Sequence, residues 1–313
     1  MTETPIIDVA GLTVRYGETT AVDGVDLTIA RGEVFAIVGE SGCGKSSLAR
    51  ALMRLAPAAT GRIRFDGIDI TAMPDRALRP MRRRLQMVFQ DPFASLNPRK
   101  TVGQAIGDPL RYVAGLPRAA VDGRVRDLLA QVGLRPEHAD RLPHEFSGGQ
   151  RQRIGIARAL AVDPDLLVCD EPVSALDVSV RAQILNLLAD IRRARNLSML
   201  FISHDLSVVE HIADRVAVMY LGRIVEIGPA GALFAAPRHP YTRALVAAVP
   251  RIRGGGAPRG EEAAAPAVAV PPRAESGCRF LDRCPRALPA CARVEPVLEP
   301  VGDRALACAN PWG

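Results

Sequence analysis

The stretch that decides the fold is Gly39-Glu40-Ser41-Gly42-Cys43-Gly44-Lys45-Ser46, which follows the apolar run Val34–Val38. It matches the pattern G-x-x-x-x-G-K-[ST] at every position. Glycines at this spacing let backbone N–H groups surround a phosphate, and a helix that begins at the loop directs its positive end at the same anion. The apolar run before the loop is typical of a buried parallel strand. The stretch therefore predicts a phosphate-binding loop between a strand and a helix.

The composition excludes several classes of protein. The chain has 313 residues, of which 48% are hydrophobic, and this content is enough for a sizeable core. No run approaches the ~18–20 apolar residues of a membrane-spanning helix, and the N-terminus lacks the pattern of a secretion signal. The formal charge of +6 comes from scattered basic residues, and only 4% of residues are aromatic. We therefore expect a cytosolic chain with no nucleic-acid partner.

Away from the loop, strand and helix patterns alternate along the chain. Short strands with turns are predicted over 6–30 and 61–70, and the second of these stretches contains an Asp-Gly turn. From about 101 to 160 the pattern is helical. Further strands are predicted at 86–90, 166–169, 199–203 and 215–220, with helices at 45–55, 179–195 and 205–213. This order predicts an α/β fold with a mostly parallel sheet, helices on both faces and a helical insertion.

Two carboxylates follow one of these predicted strands, Asp170 and Glu171. In a fold with a phosphate-binding loop, Asp170 would hold Mg²⁺ through water, and Glu171 would act as the general base for the attacking water. His204 follows the strand predicted at 199–203, and it therefore also lies at the carboxyl end of a strand, where open α/β sheets bind ligands. Alone, each of these residues would be an ordinary polar group at a strand end; the preceding phosphate loop favours a catalytic role.

A second helix start is also suited to an anion. Ser147-Gly148-Gly149-Gln150 precedes an apolar helical pattern, and Ser147 adds a hydroxyl donor to the helix N-terminus. One bound nucleotide needs only one phosphate loop. We therefore expect this second helix end to serve a nucleotide that is held by another subunit.

Taken in order, these motifs resemble the ATP-binding subunits of ABC transporters, over about residues 6–250. The stretch 146–150 resembles the family signature, with Phe146 where leucine is commoner, and 174–177 resembles the D-loop. The resemblance implies a P-loop NTPase fold with an N-terminal antiparallel β subdomain and a helical subdomain. It also implies that two such domains pair head to tail, that ATP closes the pair and that hydrolysis opens it.

The resemblance implies a role for each matched residue. The catalytic residues would be Glu171, the switch histidine His204 and the Q-loop glutamine Gln90, and Mg²⁺ would be bound through Ser46, Gln90 and Asp170. The implied nucleotide contacts are Tyr16, Gly39, Ser41, Gly42, Cys43, Gly44, Lys45, Ser46, Ser47, Gln90, Ser147, Gly148, Gly149, Gln150 and Asp177. Two of them have simpler alternatives: Tyr16 as an edge-strand aromatic rather than an adenine-stacking one, and Asp177 as a helix N-cap.

Several longer phrases are similar to the oligopeptide and dipeptide importer ATPases, and in particular to the second of the two ATPases that such importers use. The resemblance implies two transmembrane permease subunits, a second ATPase subunit and an extracytoplasmic substrate-binding protein as partners. The second ATPase would be a related paralogue or another copy of this chain. The location would be the cytoplasmic face of the inner membrane. A nickel or oligosaccharide importer is an alternative, as is a soluble ABC ATPase that acts on DNA or ribosomes.

The sequence divides into an ATPase domain over 1–250, with the helical subdomain at about 92–160, a Pro/Ala/Gly-rich linker over 251–275 and a small Cys-rich tail over 276–313. The tail carries Cys278, Cys284, Cys291 and Cys308. Four thiolates can bind a [4Fe–4S] cluster or a tetrahedral Zn²⁺. The tail resembles that of the peptide-importer group, in which some members hold an iron–sulfur cluster. Zinc and free thiols stay open as alternatives.

Overall fold

The computed structural model describes residues 4–91, 95–249 and 277–313, so the linker predicted over 251–275 lies outside the described residues. The strands are β1 Ile7–Tyr16, β2 Thr19–Ile29, β3 Val34–Val38, β4 Thr60–Phe65, β5 Ile68–Asp69, β6 Leu85–Val88, β7 Leu166–Asp170, β8 Ser198–Ile202, β9 Arg215–Tyr220, β10 Arg223–Pro229, β11 Glu299–Val301 and β12 Arg304–Leu306. The helices are α1 Lys45–Leu52, α2 Asp75–Arg84, α3 Val102–Tyr112, α4 Arg118–Gln131, α5 Gly148–Leu160, α6 Val178–Arg195, α7 Leu206–Ile212, α8 Ala230–Ala235 and α9 Pro240–Ala247.

The larger sheet has the strand order β11-β12-β10-β9-β3-β8-β7-β6. The five strands from β9 to β6 are parallel, while β10, β12 and β11 are antiparallel. Strand β3 lies inside the parallel part, and all five of its residues are buried. The alternation of strands and helices correctly predicted this mostly parallel sheet, because each parallel connection needs a crossover, usually a helix.

The two faces of β3 belong to two different hydrophobic clusters. Val34, Ala36 and Val38 pack in the cluster that includes the apolar faces of α3 to α6. Phe35 and Ile37 pack in the cluster that contains α1 and the apolar residues of β1, β2 and β4. One face of the sheet is therefore covered largely by a second sheet, and not by helices alone as the sequence pattern indicated.

The second sheet is antiparallel, with the strand order β2-β1-β4-β5. Its β4–β5 turn consists of Asp66 and Gly67, both of which have positive φ angles, of 52° and 76°. Two successive positive φ angles are the geometry of a tight two-residue hairpin turn, and Asp-Gly is a preferred pair for it. The pairing of Phe65 with Ile68 confirms the turn that was predicted there.

The C-terminal segment, defined here as residues 277–313, adds strands to the larger sheet. Strand β12 pairs with β10, and β11 forms the outer edge. A fully buried carboxylate holds this junction together: Glu226 of β10 accepts hydrogen bonds from the backbone N–H groups of Arg238 and His239 and from the Arg304 side chain. The sequence pattern did not indicate that the tail joins the sheet, because short exposed strands leave no alternation to detect.

No helix in the described parts of the chain is long and apolar enough to cross a membrane.

Candidate functional site

The phosphate loop joins β3 to α1 and passes close to two neighbouring strands. At Gly39, with φ of 154°, a Cβ atom would lie 2.2 Å from the Met219 carbonyl oxygen. At Gly44, with φ of 108°, it would lie 2.1 Å from the Ala21 carbonyl oxygen. Glycine is required at both positions because of the backbone conformation and because of the lack of space. The loop is thus a cradle of bare backbone at the carboxyl end of β3.

Lys45 is the buried cation of this cradle. Its side chain is only 4% exposed, and Nζ donates hydrogen bonds to the carbonyl oxygens of Gly39 at 2.8 Å and Glu40 at 2.9 Å. Cys43 lies beside it, with Sγ 3.7 Å from Nζ. Burial raises the pKa of the Cys43 thiol, so this group is neutral and does not itself offset the ammonium charge that would attract a phosphate.

Ser46 and Asp170 form a pair that is suited to a magnesium ion. Ser46 Oγ donates to Asp170 Oδ1 over 2.8 Å, and this bond joins the start of α1 to the end of β7. Asp170 is 3% exposed; burial raises the pKa of its carboxyl, and the hydrogen bond from Ser46 opposes that rise. Hydroxyl and carboxylate oxygens are the hard donors that Mg²⁺ prefers, so the donor set beside the cradle fits this ion.

Glu171 follows directly and is held in an unusual backbone conformation. Its φ is +46°, in the left-handed region that residues other than glycine rarely adopt. The N–H of Glu171 donates to the Ile202 carbonyl at 3.0 Å, and its own carbonyl accepts from Ser174 Oγ at 3.1 Å. These bonds maintain the strained residue, and strain of this kind is often found at functional sites.

Two polar side chains converge on the Glu171 carboxylate. Gln90 Nε2 donates to Oε2 at 3.1 Å, and His204 Nδ1 lies 3.2 Å from Oε1. Gln90 follows β6 and His204 follows β8, the strands on either side of β7. The structure therefore brings together, at the carboxyl ends of three adjacent strands, the three residues that the sequence predicted as catalytic. The Gln90 amide oxygen is the atom left to act as a metal ligand.

The signature residues form the start of α5. Ser147 is the N-cap, and its side chain and that of Gln150 make reciprocal bonds with the backbone of the first turn. A Cβ atom at Gly149 would lie 2.3 Å from Val180, so glycine allows α5 to pack against α6. Among the described residues, no hydrogen bond connects this turn to the phosphate loop. Ser147 is exposed, as a surface that serves a second subunit would need.

The remaining predicted contacts are at the surface. Tyr16 lies at the end of β1 and is 46% exposed, so its ring is available for stacking. Ser41 and Gly42 are exposed at the tip of the loop, and Ser47 is half-buried in α1. Asp177 occupies the N-cap position of α6, but its side chain makes no capping hydrogen bond. The structure therefore does not show this carboxylate capping the helix by a hydrogen bond.

The four cysteines of the tail surround one small cavity together with His239. All four are free thiols, and burial raises the pKa values of Cys278, Cys284 and Cys308. The donor type suits iron or zinc. However, within 4–91, 95–249 and 277–313 no group of three or more His, Cys, Asp or Glu side chains has the arrangement of a metal site. The thiols are gathered, but no ligand shell is formed.

Two contacts of the phosphate loop were missed by the sequence reasoning. The backbone N–H of Glu40 donates to the Tyr241 hydroxyl, and the Glu40 carboxylate accepts two hydrogen bonds from Arg283. Arg283 is 243 positions from Glu40 in the chain. No local pattern indicates a pair at such a separation.

Comparisons with known proteins agree with this geometry. Residues 22–174 match the ABC transporter family, and residues 225–291 match the family described as the oligopeptide/dipeptide transporter, C-terminal region. The chain is 54% identical over 289 residues to the probable peptide ABC transporter ATP-binding protein y4tS of Sinorhizobium fredii; the match covers 92% of this chain and 82% of that protein. It is 50% identical over 294 residues to the oligopeptide transport ATP-binding protein OppF of Salmonella typhimurium, with coverage of 92% and 87%.

Two solved structures share the fold. One is cbiO1 of Clostridium perfringens, part of the ABC transporter complex cbiONQ, with a TM-score of 0.68 and 31% identity over 74% of this chain and 92% of that one. The other is a dimeric ATP-binding cassette in a post-hydrolysis state with ADP and Pi, with a TM-score of 0.65 and 28% identity over 72% of this chain and 98% of that one. With the cradle, the Ser46–Asp170 pair and the Glu171 cluster all present, the chain belongs to the ATP-binding proteins of the ABC transporter family, in the oligopeptide/dipeptide transporter group.

Proposed function

We propose that this ATPase powers the import of oligopeptides or dipeptides through a membrane permease. The observation that carries the ATPase mechanism is the convergence of Gln90 and His204 on Glu171, next to the Ser46–Asp170 pair. The peptide substrate is supported by the names of the relatives and by the match of the C-terminal region to the oligopeptide/dipeptide transporter family.

The roles of the site residues follow from their chemistry. Backbone amides of the loop and the Lys45 ammonium bind the phosphates of ATP, and Tyr16 stacks on its adenine. Ser46, Asp170 and the Gln90 amide oxygen would hold Mg²⁺, which supplies charge neutralisation of the phosphate oxygens. Glu171 accepts the proton of the attacking water as the oxygen bonds to the γ-phosphorus and the bond to the β-phosphate oxygen breaks. His204 and Gln90 keep the Glu171 carboxylate in position for this transfer.

We propose that the site is completed by a second ATPase subunit. The exposed Ser147 turn and Asp177, whose side chain makes no capping hydrogen bond, would face the nucleotide of that subunit. The signature of the second subunit would face the loop at 39–46 of this chain. The partner is a paralogue or a second copy of this chain. ATP-driven closure of the pair would then bias two transmembrane permease subunits at the cytoplasmic face of the inner membrane, with substrate delivered by an extracytoplasmic binding protein.

The division of the chain is also a proposal. An ATPase domain over 1–250 would contain the helical subdomain at about 92–160, and a linker over 251–275 would lead to the tail over 276–313. The helical subdomain is supported by α3, α4 and α5, which pack on one another within that range. The tail is distinguished from the ATPase domain by its cysteine content, although its strand β12 pairs with β10 of the larger sheet.

The test of the substrate is uptake into vesicles. The chain is reconstituted with its permeases, partner ATPase and binding protein, and the entry of labelled peptides of two to eight residues is measured with ATP inside. We expect ATP-dependent peptide accumulation that excess unlabelled peptide suppresses. Accumulation of nickel or of an oligosaccharide, with no uptake of any peptide, would replace the peptide proposal by one of its alternatives.

A second proposal concerns the tail, for which we infer a [4Fe–4S] cluster bound by Cys278, Cys284, Cys291 and Cys308. Its support is the common cavity and the donor type. The cavity has room for about one water molecule, so cluster binding would require the thiols to move apart. Zn²⁺ on the same thiols is the alternative.

Anaerobic purification of the full chain separates these cases. We expect about four iron and four sulfide per chain, with a brown colour that is lost in a Cys284→Ser variant. One zinc per chain without sulfide would support the alternative, and a metal-free tail under these conditions would refute both.

A further inference from the structure

Glu40, the second residue of the phosphate loop, is held by two residues outside the loop that have no role in the reaction described above. Its backbone N–H donates to the Tyr241 hydroxyl at 2.9 Å. Its carboxylate accepts a forked pair of hydrogen bonds from Arg283, at 2.8 Å to Oε1 and 3.1 Å to Oε2. Tyr241 belongs to α9, and Arg283 ends the short helical turn Leu281–Arg283 of the C-terminal segment. Both contacts therefore connect the far end of the chain with the nucleotide loop.

The groups that make these contacts are firmly packed. Tyr241 is fully buried, and its ring centroid lies 4.5 Å from that of Tyr220 and 5.4 Å from that of Phe280. The Arg283 guanidinium lies 5.5 Å from the Phe280 ring centroid, within the range of a cation–π contact. A forked arginine–carboxylate pair is demanding in geometry. The Arg283 fork is thus pre-set by its packing and does not reach Glu40 as a flexible surface side chain would.

The same segment is anchored to the body close to Arg283. Arg279 is largely buried; it forms an ion pair with Asp23 of β2, and its Nε lies 2.6 Å from Glu295 Oε1 within the segment. These bonds attach the start of the C-terminal segment to β2, the strand that also lies beside the phosphate loop at Ala21. Arg283 therefore has little freedom to leave Glu40 unless the segment itself moves.

The charge of Glu40 explains why the pair matters for ATP. The loop binds a polyanion, and Glu40 carries a carboxylate on that loop that is only about one-third exposed. A carboxylate without a partner would repel the phosphates, and this repulsion is larger at a half-buried site than in bulk water. The Arg283 cation neutralises that charge. Without Arg283, the same carboxylate would oppose the positive field of Lys45.

We propose that Arg283 is a positioning residue for the nucleotide site, which acts through Glu40, and that the C-terminal segment thereby sets the affinity of the chain for ATP. A displacement of the segment from Glu40 weakens ATP binding and leaves the proton transfer at Glu171 unchanged. The inference rests on ATP binding at the 39–46 loop and is independent of the transported substrate.

The experiment measures the Kd of the full chain for a fluorescent ATP analogue with Mg²⁺, and kcat and KM for ATP in the assembled transporter. We expect Arg283→Ala to weaken binding about three- to tenfold, with kcat within about twofold of the wild type. We expect Glu40→Gln to bind ATP no more weakly than the wild type, because the repelling charge is gone. The double variant Glu40→Gln/Arg283→Ala recovers most of the lost affinity.

Arg293→Ala is the matched control, because it removes the same charge from the same segment. Its side chain is exposed and has no ion pair with any residue that the structure describes, so we expect a wild-type Kd. If Arg283→Ala fails to fold, Arg283→Lys replaces it, because lysine keeps the charge but loses the fork. We expect this variant to weaken ATP binding by less than about threefold.

The asymmetry between the two sides of the ion pair decides the outcome. A merely structural bond would make Glu40→Gln as harmful as Arg283→Ala, and the double variant would then not recover. Either result overturns the proposal, as does an Arg283→Ala chain with wild-type affinity. A wild-type chain that fails to bind the ATP analogue would instead contradict ATP binding itself, so the two failures are distinguishable.

Discussion

Lys45 shows how much a single residue contributes to this site. The only lysines in a chain rich in arginine are Lys45 and Lys100. The Lys45 ammonium is buried against two loop carbonyl oxygens, a space that suits a compact charge and not a planar guanidinium. Lys100 has a different role: its Nζ lies 2.5 Å from Asp108 Oδ2 at the surface. The motif predicted the first lysine, whereas the partner of the second could be seen only in the structure.

We predict that Lys45→Ala weakens ATP binding at least about tenfold, because the charge that binds the phosphates is lost. Lys45→Arg is not expected to restore binding, since the larger fork does not fit between the Gly39 and Glu40 carbonyls. Calorimetric titration with ATP and Mg²⁺ measures the effect. Lys100→Ala is the matched control and should bind as the wild type does; equal losses in both lysine variants would contradict a local role for Lys45.

Among the elements, two helices begin with the same device. Thr101 caps α3 and Ser147 caps α5, and in each case the side chain bonds the backbone three residues later while a glutamine side chain bonds back. Such boxes satisfy backbone donors that a helix start leaves unpaired. Only the Ser147 capping box is also part of the signature. Variants of Thr101 and Ser147 can therefore distinguish an effect on helix capping from an effect on catalysis.

We predict that Thr101→Ala and Ser147→Ala each lower the free energy of unfolding by about 1 kcal/mol. Only Ser147→Ala should lose ATP hydrolysis, by more than about tenfold, because the signature hydroxyl is missing from the site of the partner subunit. Urea unfolding and steady-state hydrolysis of the assembled transporter provide the two readouts. A similar loss of hydrolysis in the Thr101 variant would indicate that both act through stability alone.

The elements also show where sequence reasoning succeeds. Strands β3, β7 and β8 are built on short apolar runs bounded by glycine or polar residues, and such local patterns are typical of buried strands. The sequence pattern gave no signal for the positive φ of Glu171, whose N–H is bound by the distant Ile202 carbonyl of β8. The β12–β10 pairing likewise depends on the buried Glu226, a tertiary contact that no periodicity encodes.

Across the whole molecule, charged side chains join parts that are distant in sequence. Asp66, in the turn of the antiparallel sheet, forms ion pairs with Arg31 and Arg84, and Arg84 also lies 2.5 Å from Asp165 next to β7. The motifs alone predicted which residues bind ATP. They did not indicate how the two sheets and the C-terminal segment are connected, because single charges on different elements carry no sequence pattern.

The Asp66 network predicts a pH dependence. The hydrogen bond from Arg84 lowers the pKa of Asp66. In the folded protein this carboxylate therefore stays ionised at pH values where an unpaired aspartate would be protonated. Its stabilisation is present above the unfolded pKa of 3.8 and is lost as pH falls through the lower folded value. We expect Asp66→Asn, which tolerates the positive φ, to cost about 1–3 kcal/mol at pH 7.

The difference in unfolding free energy between wild type and Asp66→Asn should shrink as the pH falls below 3.8 and through the lower folded pKa of Asp66. Urea unfolding at several pH values measures it. Asp75→Asn is the control, because the Asp75 side chain is 85% exposed in its pair with Arg82 and should contribute little. A penalty for Asp66→Asn that is constant with pH would contradict a charge-based link.

The carboxylate of Glu171 is the group on which the proposed reaction depends. Hydrolysis and nucleotide binding are measured side by side for Glu171→Gln in the assembled transporter. The amide cannot accept a proton, so we predict hydrolysis reduced at least about a hundredfold, with ATP still bound near wild-type affinity and the ATPase pair held closed. Continued turnover at the wild-type rate would contradict Glu171 as the general base and the mechanism built around it.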